Sequence, residues 1–240
     1  DQLDKYARDE HIKAVVLRLE TPGGAIVPSQ EIYEKVLKVK THKKVVASMG
    51  TVAASGGYYI ACATDRIIAN PGTITGSIGV IAQFSQIEEL LRKIGLKSTI
   101  IKSGKYKDMG SPLREMTEEE RNVIQEVIDD IYEQFVEVVS KNRNISKEKI
   151  KNTADAKIFT GRQALELGLV DELGTMEYSI DIAAKLAGIE GEPEVVYPKE
   201  KRGGLLRYIL GEAASAISEE LGLQSDGIDY LYLDGLMERM

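Results

Sequence analysis

The sequence is short of the residues that most often carry metal or acid–base chemistry. Its 240 residues hold one cysteine, Cys62, and two histidines, His11 and His42. A single cysteine excludes an intrachain disulfide and a thiolate zinc cluster. There is no basic excess either. Lys and Arg number 31 against 38 Asp and Glu, a net charge of −7, which argues against a nucleic-acid binder. Clean apolar runs are also missing. Val45 to Thr64 and Ile67 to Ile87 reach the length of a bilayer span, but the first contains Gly50, Gly56 and Gly57, and the second Pro71, Gly72, Gly76 and Gly79. Both read as buried strand–turn–helix segments. No basic-apolar leader precedes the charged opening DQLDKYARDEHIK. The chain is therefore expected to be a piece of a longer protein, with any membrane anchor upstream.

What is present suffices for a core without staples: 43% hydrophobic and 29% charged residues. Short β-rich runs at Ala14 to Leu19, Val45 to Met49, Arg66 to Ala69, Ile78 to Ala82 and Lys97 to Ile101 alternate with helical patterns at Pro28 to Lys40, Ala53 to Ala63 and Ser85 to Ile94. Strands separated by helices predict βαβ units and a largely parallel sheet, an α/β fold. Ser85 and Glu88 are spaced as a capping box, as are Thr117 and Glu120. From Thr117 to Arg143 apolar residues recur at Val123, Ile124, Val127, Ile128, Ile131, Phe135, Val138 and Val139, the spacing of a long amphipathic helix. Helices at Thr160 to Gly168 and Met176 to Ala187 make the second half more helical. Residues 1–198 read as one domain. Lys199 to Gly204 is a charged, glycine-rich linker into an extension, 199–240, expected to contact an oligomer partner or a groove.

Two glycine-rich turns come directly after predicted strands. Ser55, in Ala53-Ala54-Ser55-Gly56-Gly57-Tyr58-Tyr59, would stand at the carboxyl end of a strand, on the first turn of a helix. Open parallel sheets bind ligands at that edge. Thr21-Pro22-Gly23-Gly24 would lie beside it, so one turn can supply a nucleophile and the other an oxyanion donor. A serine N-cap and an ordinary βα turn are the competing readings. A Ser–His–Asp triad is not available. His42 lies roughly 23 Å from the end of its strand, at ~3.3 Å per residue, and His11 likewise starts a strand. Lysine is the remaining base, and it acts only when neutral, so burial must lower its pKa from about 10.4. The loop Ser103-Gly104-Lys105-Tyr106-Lys107-Asp108-Met109 leaves a predicted strand and offers two candidates. Residue chemistry alone does not choose between Lys105 and Lys107.

TPGG, AASGGYY, TGSIGV (Thr75 to Val80) and SGKYKD, in this order and spacing, resemble the SppA-type signal peptide peptidases, serine peptidases of the ClpP/crotonase superfold. The likeness extends over most of Ala14 to Gly174, including TGRQA…GLVDELG. It implies repeated ββα units with a helical C-terminal part. It implies Ser55 as nucleophile, Lys107 as general base and Ser77 as the residue that orients the lysine. Gly24 and Gly56 are implied as oxyanion-hole amides. No cofactor or metal is implied. The implied partners are peptides, namely signal peptides already released from their precursors, and further copies of the chain in a ring, where the lysine can reach a serine across an interface. Membrane association is implied through a segment outside this sequence. Two other readings share parts of the pattern. A crotonase-like acyl-CoA enzyme would share the oxyanion turns but should not need Ser55. A non-catalytic ring-forming scaffold would not need intact Ser55, Ser77 and Lys107.

Overall fold

The computed structural model describes residues 2–198 and the backbone of 228–230. The rest of the 199–240 extension lies outside the described residues. After a short helix α1 (Gln2–Arg8) come β1 (Ala14–Thr21), β2 (Gly24–Ala25), α2 (Ile26–Lys40), β3 (Lys44–Ala54), α3 (Gly56–Ala61), β4 (Arg66–Ala69), β5 (Ile74–Gly76), β6 (Ile81–Ala82) and α4 (Glu88–Lys93). The remaining elements are α5 (Glu118–Arg143), α6 (Lys147–Thr153), β7 (Ile158–Thr160), α7 (Gly161–Glu166), β8 (Glu172–Leu173), α8 (Met176–Leu186) and β9 (Ile228–Tyr230).

The principal sheet is organised around β3. One edge of β3 pairs parallel with β1 from Lys44 to Ala53. The opposite edge is divided: Val46 to Met49 pair with β4, and Val52 to Ala54 pair with β5. The sheet therefore forks at Gly50 and Thr51. β4 continues to β8 on one branch, and β5 continues to the antiparallel β7 on the other. A second sheet of three antiparallel strands runs β2–β9–β6.

Alternation along β3 builds two layers. Val45, Ala47 and Met49 face the main core with Val36, Val39, Tyr58, Phe135 and Val139, while Val46 faces a smaller cluster with Ile68 and Ala183 of α8. Tyr59 stacks edge-on against Tyr33 and Phe135 with centroids 5.1 Å apart in each pair, which locks α2, α3 and α5 together. Such pairs add about 1 kcal/mol each beyond the area they bury. The Arg143 guanidinium at the end of α5 grips Asp171 at 2.9 and 3.0 Å and the Gly168 carbonyl at 3.0 Å.

Several expectations are corrected. The run Lys97 to Ile101 is not a strand: it is irregular and exposed, because no neighbouring strand edge among the described residues receives it. Ile78 to Ala82 is not one strand; pairing instead selects Ile74–Gly76 and Ile81–Ala82 on different sheets. Ser85 does not cap a helix, since α4 begins at Glu88 behind Ile87 with no side-chain cap. The Thr117/Glu120 box does form, with both reciprocal hydrogen bonds.

Candidate active site

β3 ends at Ala54 and the chain turns at once into α3 at Gly56. Ser55 is the single residue between them, with φ 51° and ψ −119°. That is one place short of the expected first helical turn, because the strand runs beyond Met49, where its apolar run ends, as far as Ala54. A left-handed φ at a non-glycine residue costs of order 1–3 kcal/mol. A sharp strand-to-helix turn of this kind presents the nucleophilic serine of α/β-hydrolases. Ser55 has 0% exposure, yet its Oγ has no hydrogen-bond partner among the described residues. It occupies the N-cap position of α3, but its side chain makes no capping hydrogen bond. Leaving a buried hydroxyl unpaired costs about 1–3 kcal/mol.

Neighbouring strands place the other residues. The Ser55 amide donates to the Gly76 carbonyl at 2.8 Å, and Ala54 pairs with Gly76. Ser55 and Ser77 are therefore the next residues at two parallel strand ends. Ser77 is also left-handed, at φ 51°, and nearly buried; its amide donates to the Lys157 carbonyl at 2.7 Å. On the other edge Thr21 pairs with Ala53, so the turn to Gly24 leaves β1 beside the elbow. Thr21 Oγ1 donates to the Gly23 carbonyl at 2.8 Å and accepts from the Gly23 amide at 3.2 Å, fixing the turn. Gly57 allows the contact between the two turns: a Cβ there would lie 2.7 Å from Thr21 Cγ2. The elbow therefore gathers Ser55, Ser77, Gly56 and the Gly24 turn. Both histidines are exposed, outside this cluster.

Among the described residues no lysine is hydrogen-bonded to Ser55. Lys107 lies on an arm, residues 81–116, that folds mostly on itself: the Ile87 amide donates to the Pro112 carbonyl at 2.8 Å, and Phe84 packs against Gly110. Lys107 is exposed there. Since Ser55 Oγ has no partner among the described residues, the serine–lysine hydrogen bond is not formed within the chain. The arm separates the two lysines by their surroundings. Lys105 is ion-paired with Glu119, which raises its pKa; Lys107 makes no ion pair among the described residues. Asp108, next to Lys107, is occupied elsewhere. Its carboxylate takes Arg114 Nε and Nη2 at 2.8 Å each, together with Lys102. Arg114, then Lys102, hold it well below the usual carboxylate range. Arg114 also grips Glu120, the capping residue of α5, at 2.8 Å through Nη1.

Among the described residues no group of His, Cys, Asp and Glu could hold a metal ion, and no helix is long and apolar enough to cross a membrane. Cys62, behind α3, is buried and its thiol is pushed up to about 12, chiefly by desolvation.

Comparison with known proteins gives these groups a family. Residues 38–190 match peptidase family S49. A Synechocystis protein assigned by name to the proteases is 46% identical over 91% of this chain and 80% of its own length. An Enterococcus faecium protein carrying the name signal peptide peptidase SppA is 39% identical over 95% of this chain and 65% of its own. The chloroplastic serine protease SPPA of Arabidopsis thaliana is 34% identical over the whole chain, which spans 36% of that relative. The forked sheet with its helical second half is the ClpP-like α/β architecture of that family, and the chain belongs to peptidase family S49 as a protease.

Proposed function

We propose that the protein is a serine endopeptidase in which Ser55 of one protomer and Lys107 of its neighbour form the catalytic pair. The observation that carries this reading is the state of Ser55: buried, left-handed and without a hydrogen-bond partner among the described residues, at a strand–helix elbow. The arm that bears Lys107 exposes apolar side chains that no described part of the chain covers, with Leu90 58%, Ile94 61% and Ile101 96% exposed. Val127 on α5 is exposed as well. Such a surface fits a second copy of the chain, repeated head to tail into a ring. Docking would carry the amine out of water, and desolvation favours the neutral form of an amine.

The chemistry uses those positions. Ser55 Oγ attacks the carbonyl carbon of the scissile bond as its proton passes to the neutral lysine nitrogen. The Gly24 and Gly56 amides donate to the oxyanion, and Ser77 orients the lysine. The C–N bond breaks, the lysine proton leaves with the amine, and Ser55 is acylated. Water then gives its proton to the lysine and attacks the ester, and that proton returns to Ser55 Oγ. The substrate lies extended between β2 and β6. The chain's own β9 pairs with both strands, antiparallel at Gly24↔Tyr230 and Ile81↔Asp229, which illustrates the addition of a strand at that edge. The name of the Enterococcus relative, a signal peptide peptidase, favours spent signal peptides as substrates.

A serine-reactive fluorophosphonate tests the reading. Labelling of the assembled protein should disappear in Ser55→Ala, together with peptide hydrolysis, by about a thousandfold or more. Hydrolysis by a folded Ser55→Ala variant at the wild-type rate would overturn it.

A further inference from the structure

Strand β3 carries an irregularity immediately before the elbow. Its pairing with β1 runs regularly to Leu19↔Met49 and resumes at Thr21↔Ala53. Gly50, Thr51 and Val52 thus stand opposite the single residue Glu20. Such a bulge strands backbone donors and re-aims the residues beyond it. Here side chains take up the stranded groups. Glu20 Oε1 accepts from the Thr51 amide at 2.8 Å and the Val52 amide at 3.1 Å, and Oε2 accepts from the Thr51 amide at 3.0 Å. On the opposite edge Thr73 Oγ1 donates to the Gly50 carbonyl at 2.7 Å. Residue 50 must be glycine for the carboxylate to fit, since a Cβ there would lie 1.6 Å from Glu20 Oε2. Arg18 stands 3.6 Å from the same oxygen and donates to Ser48 Oγ at 3.2 Å, so the carboxylate is directed from both sides.

The location gives this clasp its consequence. Glu20 directly precedes the turn from Thr21 to Gly24, and Val52 is three residues before Ser55. We infer that Glu20 is a positioning residue: by clasping the bulge of β3 it fixes the register of the Ser55 elbow against the Gly24 turn, and hence of nucleophile against oxyanion donor. The inference rests on the reading of Ser55 and Gly24 proposed above. Glu20 itself touches none of the reacting atoms.

Three variants test it in the assembled protein, with steady-state peptide hydrolysis and the fluorophosphonate labelling rate as readouts. Glu20→Gln keeps a carbonyl oxygen that can accept both amides. Glu20→Ala removes the acceptor, and Glu20→Asp keeps the charge but withdraws it by one methylene. Glu20→Ala should lower kcat about 10- to 100-fold, because misplacement by about an ångström costs on that order, with KM nearly unchanged and labelling slowed in parallel. Glu20→Gln should recover most of the loss. If Glu20→Ala does not fold, Glu20→Asp decides, and its kcat should fall while Glu20→Gln keeps it. Wild-type kcat in Glu20→Ala or Glu20→Asp, or equal damage in Glu20→Gln and Glu20→Ala, would overturn the inference. Activity surviving in Ser55→Ala would instead overturn the reading beneath it, so the two failures are distinguishable.

Discussion

Ser55 and Glu20 illustrate two kinds of residue, one legible in the sequence and one not. Ser55 is legible because its signal is local: small residues before it, two glycines after it, and a strand ending beside it. Glu20 looks like an ordinary charged residue at a strand end. Its role depends on a bulge in a strand 31 residues away, and no local pattern reports that register. The lysines lie between these cases. Residue chemistry alone leaves Lys105 and Lys107 equal and the family resemblance implies Lys107; the folded arm separates them by giving Lys105 a carboxylate partner in Glu119. Lys105→Ala should therefore keep peptidase activity within about twofold, as a surface ion pair contributes little, while Lys107→Ala should lose it. The reverse result in steady-state assays would reassign the base. Cys62 offers a second check. With its thiol buried and pushed up to about 12, the thiolate is scarce at neutral pH. An aromatic disulfide reagent should leave Cys62 unmodified in the native protein and react once it is unfolded in denaturant; prompt native modification would contradict the packing behind α3.

At the scale of elements, apolar periodicity foretells what packs within the chain and misreads what does not. Phe135 and Val139 of α5 lie in the core, as the helical spacing predicts, and so does Val136, which that spacing passed over, while Val127 two turns earlier is exposed. Lys97 to Ile101 has strand composition but no strand partner among the described residues, and it lies on the exposed arm. The strand length of β3 is also underestimated, because Gly50 and Thr51 read as a stop. They are instead the bulge where the sheet forks. The corner linking the arm to α5 makes a prediction about pH. Arg114 holds the Asp108 carboxyl well below the carboxylate range and, with the Thr117 backbone, brings Glu120 from 4.5 to about 2. A carboxyl lowered in the folded state stabilises it above the unfolded value and loses that contribution as pH falls toward the folded value. Hydrogen-exchange protection of the 103–110 loop should therefore decline on acidification from about 4.5 toward about 2. In Arg114→Ala the protection should already be low at neutral pH and nearly flat through that window. An unchanged acid dependence in the variant would contradict this origin.

On the scale of the whole molecule, the parallel α/β plan is readable because strands and helices alternate in the first half of the chain. The division of one β3 edge between two branches is not, since it depends on which distant strand meets which half of β3. Under the proposed pairing, one chain does not complete the site. The elbow holds a serine without a partner and the arm a lysine without a counter-ion, both among the described residues, and the arm's apolar surface is exposed. The most direct test is complementation. Ser55→Ala and Lys107→Ala chains, each inactive alone, should regain peptidase activity when co-expressed, at about a quarter of the wild-type level if protomers mix at random in a head-to-tail ring. Mixed assemblies as inactive as their separate components would contradict a serine–lysine pair formed between neighbouring protomers.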